Sequence, residues 1–276
     1  MTKKRLQCCR DQEEKNMISD MKRKSLNICL ILPILFFTHF KPVSPGVYNW
    51  KRPTISGNNN IYSTSLFEGS AFEMEWLQMN AGVLMKSGKP VTITVPNNEE
   101  HLYIIKRGQL ELIKGDSPFT LPKGSIAVLP PGQTVSVQNK QTGSCEFYVM
   151  KYRKHFPGDK KSGEKERVSI IKNWNDVEFK PHDRGGVRTF FEQPTTLLKR
   201  LEMHVTTLNA GLKSHAPHTH VAKEIIVMMQ GDTEMLIGEK TFKGKKGAVY
   251  FMESNILHGI TNVGTAPCTY FAIQFE

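Results

Sequence analysis

The sequence is poor in cysteine, which limits the ways in which the fold can be stabilised. Three of its five cysteines, Cys8, Cys9 and Cys29, lie within the first forty of 276 residues. Only Cys145 and Cys268 remain, and their spacing matches neither a disulfide framework nor a zinc knuckle. We therefore predict two buried free thiols in a fold held by a hydrophobic core, for which 39% hydrophobic residues are sufficient.

The sequence also lacks an apolar run that could cross a bilayer as a helix, which needs about twenty residues. Residues 26–37 are almost wholly apolar, and the basic segment 22–24 precedes them. This order is typical of a secretory signal. Residues 1–40 are predicted to be a polar extension plus a signal-like leader, with translation starting at Met17 or Met21. We expect an exported protein, periplasmic or secreted; an uncleaved membrane anchor and a buried helix of a cytosolic protein are the alternatives.

Several functional classes lack their sequence signatures. The net charge of +11 is compatible with nucleic-acid binding. However, the basic residues are scattered, and no run interleaves them with aromatic residues, so no nucleic-acid partner is expected. No glycine-rich phosphate loop and no Ser, Cys or Asp nucleophile arrangement is evident. The positive balance suits a small-molecule substrate that is anionic.

The residues with metal-binding chemistry lie in the segment 211–231 and shortly after it. Alternate side chains of a strand point to one face, so His218, His220 and Glu224 share a face. His258 would bring a third imidazole from another strand. Three imidazoles and a carboxylate suit one divalent metal ion. These four residues are therefore the predicted ligands, and Mn, Fe, Ni or Zn the predicted cofactor.

Two spaced motifs resemble the paired signature of the cupin superfamily. The first is the segment 211–231, and the second is the segment 247–262. The sequence departs from the family pattern at three places. One extra residue precedes His218, Glu253 stands in place of proline, and Asn255 stands in place of glycine. Asparagine tolerates the left-handed backbone that glycine supplies in a tight turn, so we expect the turn at Asn255 to be kept.

A constant offset of 123 residues relates the two halves of the chain. It places Gly88 on Gly211, Gly108 on Gly231, Gly124 on Gly247, Asn139 on Asn262 and Cys145 on Cys268. Strand-like segments with Gly/Pro punctuation recur in each half. The resemblance then implies an all-β fold of two tandem cupin jelly-roll barrels, a bicupin. We predict an N-terminal cupin over 41–152, a charged linker over 153–183 and a C-terminal metal-binding cupin over 184–276.

The same offset indicates which half holds the metal. The four ligand positions fall on Val95, Asn97, His101 and Val135 in the first half. Stable protein sites usually present at least three good ligands, and this set does not. The N-terminal cupin is therefore predicted to be structural, closing the other barrel or forming a dimer surface, so a homodimer is expected.

Polar residues also alternate along the strand that precedes the metal motif. Arg200, Glu202 and His204 share one face, and apolar residues occupy the other. If the polar face looks into the barrel, His204 or Glu202 is the catalytic acid or base, and Arg200 binds a substrate carboxylate. If that face is exposed, the apolar face is the core. His215, on a loop at the barrel mouth, and Tyr250 are further predicted substrate contacts.

Three remaining positions complete the sequence-based expectations. Tyr270 and Gln274 are additional pocket candidates. Lys223 alternates with Glu224 and is expected to be solvated.

The metal site and the resemblance together lead to a functional expectation. A bound ion with two open positions acts as a Lewis acid on an enol, carbonyl or carboxylate. We expect an enzyme of carbohydrate metabolism that acts on a small oxygen-rich metabolite, first a sugar acid or unsaturated uronate, by isomerase, ring-opening or lyase chemistry. Fold alone does not choose among the reactions that the resemblance implies. The alternatives are a non-haem metal dioxygenase, a ureidoglycine aminohydrolase-like enzyme, whose metal motif lacks the His-x-His, and a non-enzymatic ligand-binding cupin.

Overall fold

The computed structural model describes residues 40–57, 60–87, 89–154 and 168–276. These residues form twenty β-strands and a single turn of 3-10 helix at Trp174–Asp176. Among them, no helix has the length and apolar character needed to span a membrane. Residues 1–39 of the predicted leader and residues 155–167 of the predicted linker lie outside the described residues, so the expectation of export stays a prediction.

The first half of the chain forms ten strands. They are β1 (Gly46–Asn49), β2 (Ile61–Ala71), β3 (Met74–Leu84), β4 (Val91–Thr94), β5 (Glu100–Arg107), β6 (Gln109–Lys114), β7 (Ser117–Pro122), β8 (Ile126–Leu129), β9 (Thr134–Gln138) and β10 (Cys145–Lys154).

The second half forms the other ten. They are β11 (Ile170–Lys172), β12 (Lys180–His182), β13 (Gly185–Gln193), β14 (Leu201–Leu208), β15 (Lys223–Gln230), β16 (Asp232–Ile237), β17 (Lys240–Lys245), β18 (Ala248–Met252), β19 (His258–Asn262) and β20 (Cys268–Phe275).

Each half is built from one large and one small antiparallel sheet. The first half has a six-stranded sheet in the order β11-β8-β5-β10-β3-β2 and a four-stranded sheet in the order β4-β9-β6-β7. The second has a seven-stranded sheet in the order β1-β18-β15-β20-β14-β13-β12 and a three-stranded sheet in the order β17-β16-β19. This arrangement confirms the predicted all-β class with two tandem jelly rolls.

The sheets are not closed into barrels, which corrects the prediction in one respect. The edge position beside β18 is taken by β1, where Val47 pairs with Tyr250. The edge beside β8 is taken by β11, where Ile170 pairs with Val128. Each edge is thus covered by a strand from the other half and does not pair with the small sheet of its own half. The exchange crosses the predicted domain boundaries, which stay predictions.

Three hydrophobic clusters account for the core. One lies between the two large sheets and contains residues of both halves, among them Leu77 and Ile104 from the first and Met203 and Phe271 from the second. The other two clusters lie inside the individual jelly rolls, between the large and the small sheet. The strands β5, β8, β15 and β18 of the large sheets are therefore buried on both faces over most of their length.

The predicted free thiols are confirmed. Cys145 and Cys268 are both reduced and buried. A Cβ atom at Gly231 would lie 2.5 Å from Cβ of Cys268, and the backbone φ of this glycine is +86°. Glycine is required there for two reasons, close approach and left-handed conformation. Gly108 approaches Cys145 in the same way, with an added Cβ 3.2 Å from its Cα, which explains why the repeat keeps both residue types.

An acidic side chain, Glu100, is buried where the first half meets the loop 195–197 of the second half, a contact region that we call the seam. Its Oε2 accepts hydrogen bonds from the hydroxyls of Tyr152 (2.9 Å) and Thr195 (2.6 Å) and from the Leu197 amide (3.3 Å). Thr195 and Leu197 belong to the second half, so the carboxyl group joins the halves. Burial raises the pKa of Glu100, and the hydrogen bonds to it oppose that rise.

The expectation that Lys223 is solvated is wrong. Only 1% of this residue is exposed, and its Nζ lies 5.7 Å from the ring centroid of Phe72 and 5.6 Å from that of Phe275. Alternation does turn Lys223 away from Glu224, but the opposite face of β15 meets the other half and not water. Burial lowers the pKa of Lys223, although the Glu253 carboxylate raises it.

Candidate metal centre

Two of the predicted ligands, His218 and His258, face each other across an isolated antiparallel bridge. The amide of each donates to the carbonyl of the other at 3.0 Å. Directly opposed residues of this kind carry neighbouring side chains, and the two imidazole centroids lie 4.6 Å apart. The backbone thus brings the first and second motifs together before any ion is considered.

His220 is held by the turn that precedes His258. The Asn255 amide donates to the His220 carbonyl at 2.8 Å. Asn255 itself has a φ of +59°. The prediction that asparagine keeps the left-handed turn of the family glycine is therefore confirmed, and this turn fixes the backbone of a predicted ligand.

Glu224 lies on β15 and is directed into the same space. Its Oε2 lies 3.0 Å from Nε2 of His258 and 3.4 Å from Nε2 of His220. Burial alone would raise the pKa of the Glu224 carboxyl, but the two imidazoles beside it lower that pKa to about 2. The carboxylate is thus kept ionised in a nearly water-free position.

The outer hydrogen bonds of two imidazoles fix their tautomers. Nδ1 of His220 lies 2.8 Å from the Ala222 carbonyl, and Nδ1 of His258 lies 2.7 Å from the Ile256 carbonyl. A carbonyl oxygen can only accept, so both Nδ1 atoms carry a proton, and in the neutral form of each ring Nε2 is left with a lone pair. Metal-binding histidines in proteins are commonly held by such outer hydrogen bonds.

The geometry meets the requirements of a divalent ion. One nitrogen from each of His218, His220 and His258 lies within 4.8 Å of the others. Two buried ring nitrogens in this group, Nδ1 of His218 and Nε2 of His258, have no hydrogen-bond partner. The latter is close to Glu224 Oε2 but off the line of a hydrogen bond. Buried polar atoms are normally paired, and a cation would satisfy both nitrogens and the carboxylate together.

His218 is suited to remain neutral. Burial lowers the pKa of its imidazole, and the neighbouring rings of His215 and His258 lower it further. A neutral imidazole is the form that binds a metal. The four residues therefore fit an ion, while the assignment of all four as ligands stays a prediction.

A pocket of about 290 Å³ opens onto this group. The predicted ligands His218, Glu224 and His258 are among the residues that line it. The polar side chains around them are His204, Thr206, Ser214, His215, Tyr270 and Gln274. Thr206 and Ser214 were not predicted. Thr206 could have been, because it continues the alternation that selects Glu202 and His204, whereas a lone serine in a loop carries no such signal.

The polar face of β14 is turned towards this pocket. Its apolar face, with Leu201, Met203 and Val205, packs in the cluster between the halves. The sequence left open whether the polar face looks into the barrel or the apolar face is the core. In the structure the polar face is turned towards the pocket and the apolar face lies in the core, so both statements hold. His204 lines the pocket, and its Nδ1 lies 3.1 Å from Oε1 of Glu202. The predicted catalytic pair is brought together, although its role stays a prediction.

Arg200 is not part of the pocket wall, contrary to its predicted role as a carboxylate contact. Its guanidinium is bonded to Glu202, to Glu192 (2.6 Å) and to the side-chain oxygen of Gln274 (3.3 Å). These contacts occupy all three of its nitrogens. The side chain is therefore committed to neighbouring groups of the protein.

The two remaining predicted substrate contacts have different positions. His215 lines the pocket mouth, and its ring centroid is 4.2 Å from that of His218. Tyr250 is fully buried, with its hydroxyl 3.0 Å from that of Thr233. The structure does not bring Tyr250 to the pocket, because its ring fills the interior cluster of the second half.

The equivalent space in the first half is filled. Val135 is buried where His258 would be, and its partner across the strands is Ile93, as His218 is the partner of His258. The rings of Tyr103 and Phe147 pack 5.8 Å apart at the positions of Ile226 and Tyr270. Residues that line an open pocket in one half thus form a solid core in the other.

His101 stands at the position of Glu224 but serves a different interaction. Its Nε2 lies 2.9 Å from Oε2 of Glu99, and Arg153 binds the other oxygen of that carboxylate at 2.9 Å. The bond from His101 lowers the pKa of Glu99, although burial opposes it. An ion pair between side chains has replaced the set of ligands.

Comparison with known proteins supports the fold and the domain type. Residues 204–274 match the family model of the cupin domain, and this segment includes all four predicted ligands. No curated protein matches the chain.

Solved structures resemble the chain over most of its length. Protein YlbA from E. coli is 17% identical with a TM-score of 0.61, covering 82% of this chain and 87% of its own. AerE from Microcystis aeruginosa is 15% identical with a TM-score of 0.61, covering 83% and 98%. The oxalate decarboxylase of Lactobacillus farciminis is 12% identical with a TM-score of 0.58, covering 84% and 86%.

Fold and site together define an all-β protein of two tandem jelly rolls with a histidine-rich centre in the second. The match to the cupin domain supports a cupin in the second half, and the similar structures support the fold of the whole chain. At such low identities, the likeness to solved structures shows the fold alone.

Proposed function

We propose that the second half is the active centre of a metal-dependent enzyme, with His218, His220, Glu224 and His258 as the ligands of one divalent ion. One observation carries the proposal. Three imidazoles and a buried carboxylate converge, two of their ring nitrogens lack partners, and His204 faces the same pocket. A binding module with no reaction to perform has no need of that additional base.

The side chains around the ion have separable roles in this proposal. A divalent ion, when bound, supplies Lewis-acid chemistry at a carbonyl, enol or carboxylate oxygen. Glu202 accepts the Nδ1 proton of His204 and so leaves Nε2 of that ring free. His204 is then the base that removes a proton from the substrate and returns it at another atom. Such a transfer is the chemistry of an isomerase or a lyase.

The substrate is a small oxygen-rich metabolite, with a sugar acid or unsaturated uronate as the first candidate. The pocket of about 290 Å³ limits its size. No arginine or lysine of the described chain lines this pocket, so the ion and the polar side chains would bind any carboxylate. Export and a homodimer remain part of the proposal.

Metal analysis tests the proposed function. Protein purified aerobically and anaerobically should hold one Mn, Ni or Zn ion per chain, whereas Fe with oxygen uptake would favour the dioxygenase alternative. His218→Ala should lose the ion. His182→Ala, which removes an exposed imidazole at the edge of β12, should retain it. Equal metal content in the native protein and His218→Ala would refute the site.

A binding module would behave differently from an enzyme. His220→Ala should then leave ligand affinity unchanged, whereas the proposed enzyme should lose turnover.

A further inference from the structure

Gln274 lies between Arg200 and a predicted metal ligand. It is on β20, lines the pocket, and directs its side chain along the same face as Glu224. Its Oε1 lies 3.3 Å from a terminal nitrogen of Arg200, and its Nε2 lies 3.5 Å from Nε2 of His220. The side-chain amide of Gln274 therefore contacts both the Arg200 guanidinium, which lies outside the pocket, and His220 in the candidate metal centre.

Arg200 decides which end of this amide faces the pocket. A guanidinium has only donors, so the atom that it contacts must be the oxygen of Gln274. The NH₂ group is then directed to the metal centre. If Nε2 of His220 binds an ion, its lone pair is used, and the NH₂ group is left free to donate to another acceptor in the pocket.

His204, on the neighbouring strand β14, lies on the same face of the sheet as Gln274 and is its diagonal neighbour. It is directly opposite Ala272 on β20, two residues from Gln274. Diagonal neighbours of this kind are about 7 Å apart. One small molecule can therefore contact both side chains, the base at one atom and the NH₂ donor at another.

We infer that Gln274 is a catalytic hydrogen-bond donor to a substrate oxygen that gains negative charge, and that Arg200 positions it. This inference rests on the proposed function and narrows its substrate class. A base beside a donor of this kind fits an α-hydroxycarbonyl compound, which forms an enolate oxygen when its α-proton is removed. The α-proton passes to His204, and the electron pair of the C–H bond passes to the carbonyl oxygen. Transfer of the hydroxyl proton to that oxygen and return of the α-proton from His204 to the former carbonyl carbon complete an isomerisation.

The internal repeat is an independent control for this assignment. Strand pairing places Trp76, Gln78, Asn80 and Lys151 at the positions of Arg200, Glu202, His204 and Gln274, because Lys151 pairs with Gln78 as Gln274 pairs with Glu202. The half without the metal ligands therefore lacks the guanidinium, the carboxylate, the imidazole and the Gln274 amide, although Asn80 still donates to Gln78 at 2.7 Å. A network needed only to support the sheet would have no reason to follow the ligands.

Binding of a mimic can test the donor without knowledge of the substrate. The probe is acetohydroxamate, whose anion has two adjacent oxygens like an enediolate, titrated into Co²⁺-loaded protein and followed by visible absorption. Gln274→Met removes the donor, and Gln274→Glu presents an oxygen in its place. Because a hydrogen bond to a charged group contributes about 1.5–3 kcal/mol, Gln274→Met should weaken binding roughly tenfold or more, and Gln274→Glu should weaken it further.

The matched control is Gln230→Glu, the same change at an exposed position of β15, which should bind the probe like the native protein. Equal probe affinity for native protein and Gln274→Met, at unchanged Co²⁺ content, would overturn the role of Gln274. Failure of the native protein to bind Co²⁺ would instead overturn the proposed function on which the inference rests.

A double-mutant cycle tests the role of Arg200. Arg200→Met should weaken acetohydroxamate binding because the amide of Gln274 is no longer oriented. If Arg200 acts through Gln274, the substitution Gln274→Met should cause no further loss in the Arg200→Met background. Fully additive effects would show that Arg200 does not position this amide.

Discussion

The ion pairs of Glu224 can be detected in the stability of the metal-free protein. The pKa of this carboxyl is about 2 in the folded chain against an ordinary value of 4.5. At 1.36 kcal/mol for each pH unit, this difference corresponds to about 3 kcal/mol of stabilisation. A lowered carboxyl pKa gives stability that is present above pH 4.5 and is lost as the pH falls towards 2.

His220 sets the upper limit of the same effect. The hydrogen bond with Glu224 raises the pKa of this imidazole above its ordinary value of 6.5. A raised histidine pKa gives stability that is complete below 6.5 and is lost as the pH rises through the folded pKa. The pair should therefore contribute most between about pH 4.5 and 6.5 and less on either side.

Glu224→Gln is the variant that tests this reasoning. Urea unfolding in the presence of a chelator should show the variant less stable than the native protein by about 3 kcal/mol near pH 5.5, with a smaller difference at pH 3 and pH 8.5. Glu234→Gln removes an exposed pair with Lys243 and should change stability by less than about 1 kcal/mol at every pH. A Glu224→Gln difference that does not vary with pH would refute the assignment of charge at this site.

Three further substitutions test the fold. Glu100→Gln keeps an acceptor for the hydrogen bonds between the two halves. Because burial raises the pKa of Glu100, the stability of the native protein should fall as the pH rises through that pKa. Thermal unfolding at pH 5 and pH 8 should show this fall in the native protein and not in the variant. Gly231→Ala should destabilise the protein much more than Gly238→Ala. Both glycines have positive φ, but an added Cβ would meet Cys268 at Gly231 and nothing within 4 Å at Gly238. Similar denaturation midpoints for the two variants would contradict the steric argument. Lys223→Met replaces a buried amine by an apolar chain of similar length and should leave stability unchanged or higher, and a loss of several kcal/mol would indicate an ionic role for the lysine.

The sequence was informative wherever a local pattern decided the outcome. Two spaced motifs were enough to bring His218, Glu224 and His258 into one space, and the chemistry of asparagine predicted the turn at Asn255. Strand alternation was the wrong reason, because His218 and His220 precede β15 and do not share a strand with Glu224. These features depend on residues close in sequence or on backbone geometry at one position. For the same reason the glycine and cysteine positions of the repeat could be interpreted before their contacts were known.

The errors share a different physical origin. Lys223 was expected in water because alternation turns it away from Glu224, but alternation does not reveal that both faces of β15 are covered. Tyr250 was placed at the pocket, whereas its depth along the strand puts it in the core. The exchange of β1 and β11 between the halves was not predicted, since pairing between distant strands leaves no local pattern.

The seam gives the first half a definite part in the site of the second. Glu100 accepts hydrogen bonds from Thr195 and Leu197, which lie in the loop directly before Arg200. That loop begins β14, and Arg200 in turn holds Glu202 and the amide of Gln274. The other face of β14 packs against the first half. One face of β14 therefore contacts the first half, and the other face carries the candidate base. The first half has no set of metal ligands, but the second half still depends on it to position this strand.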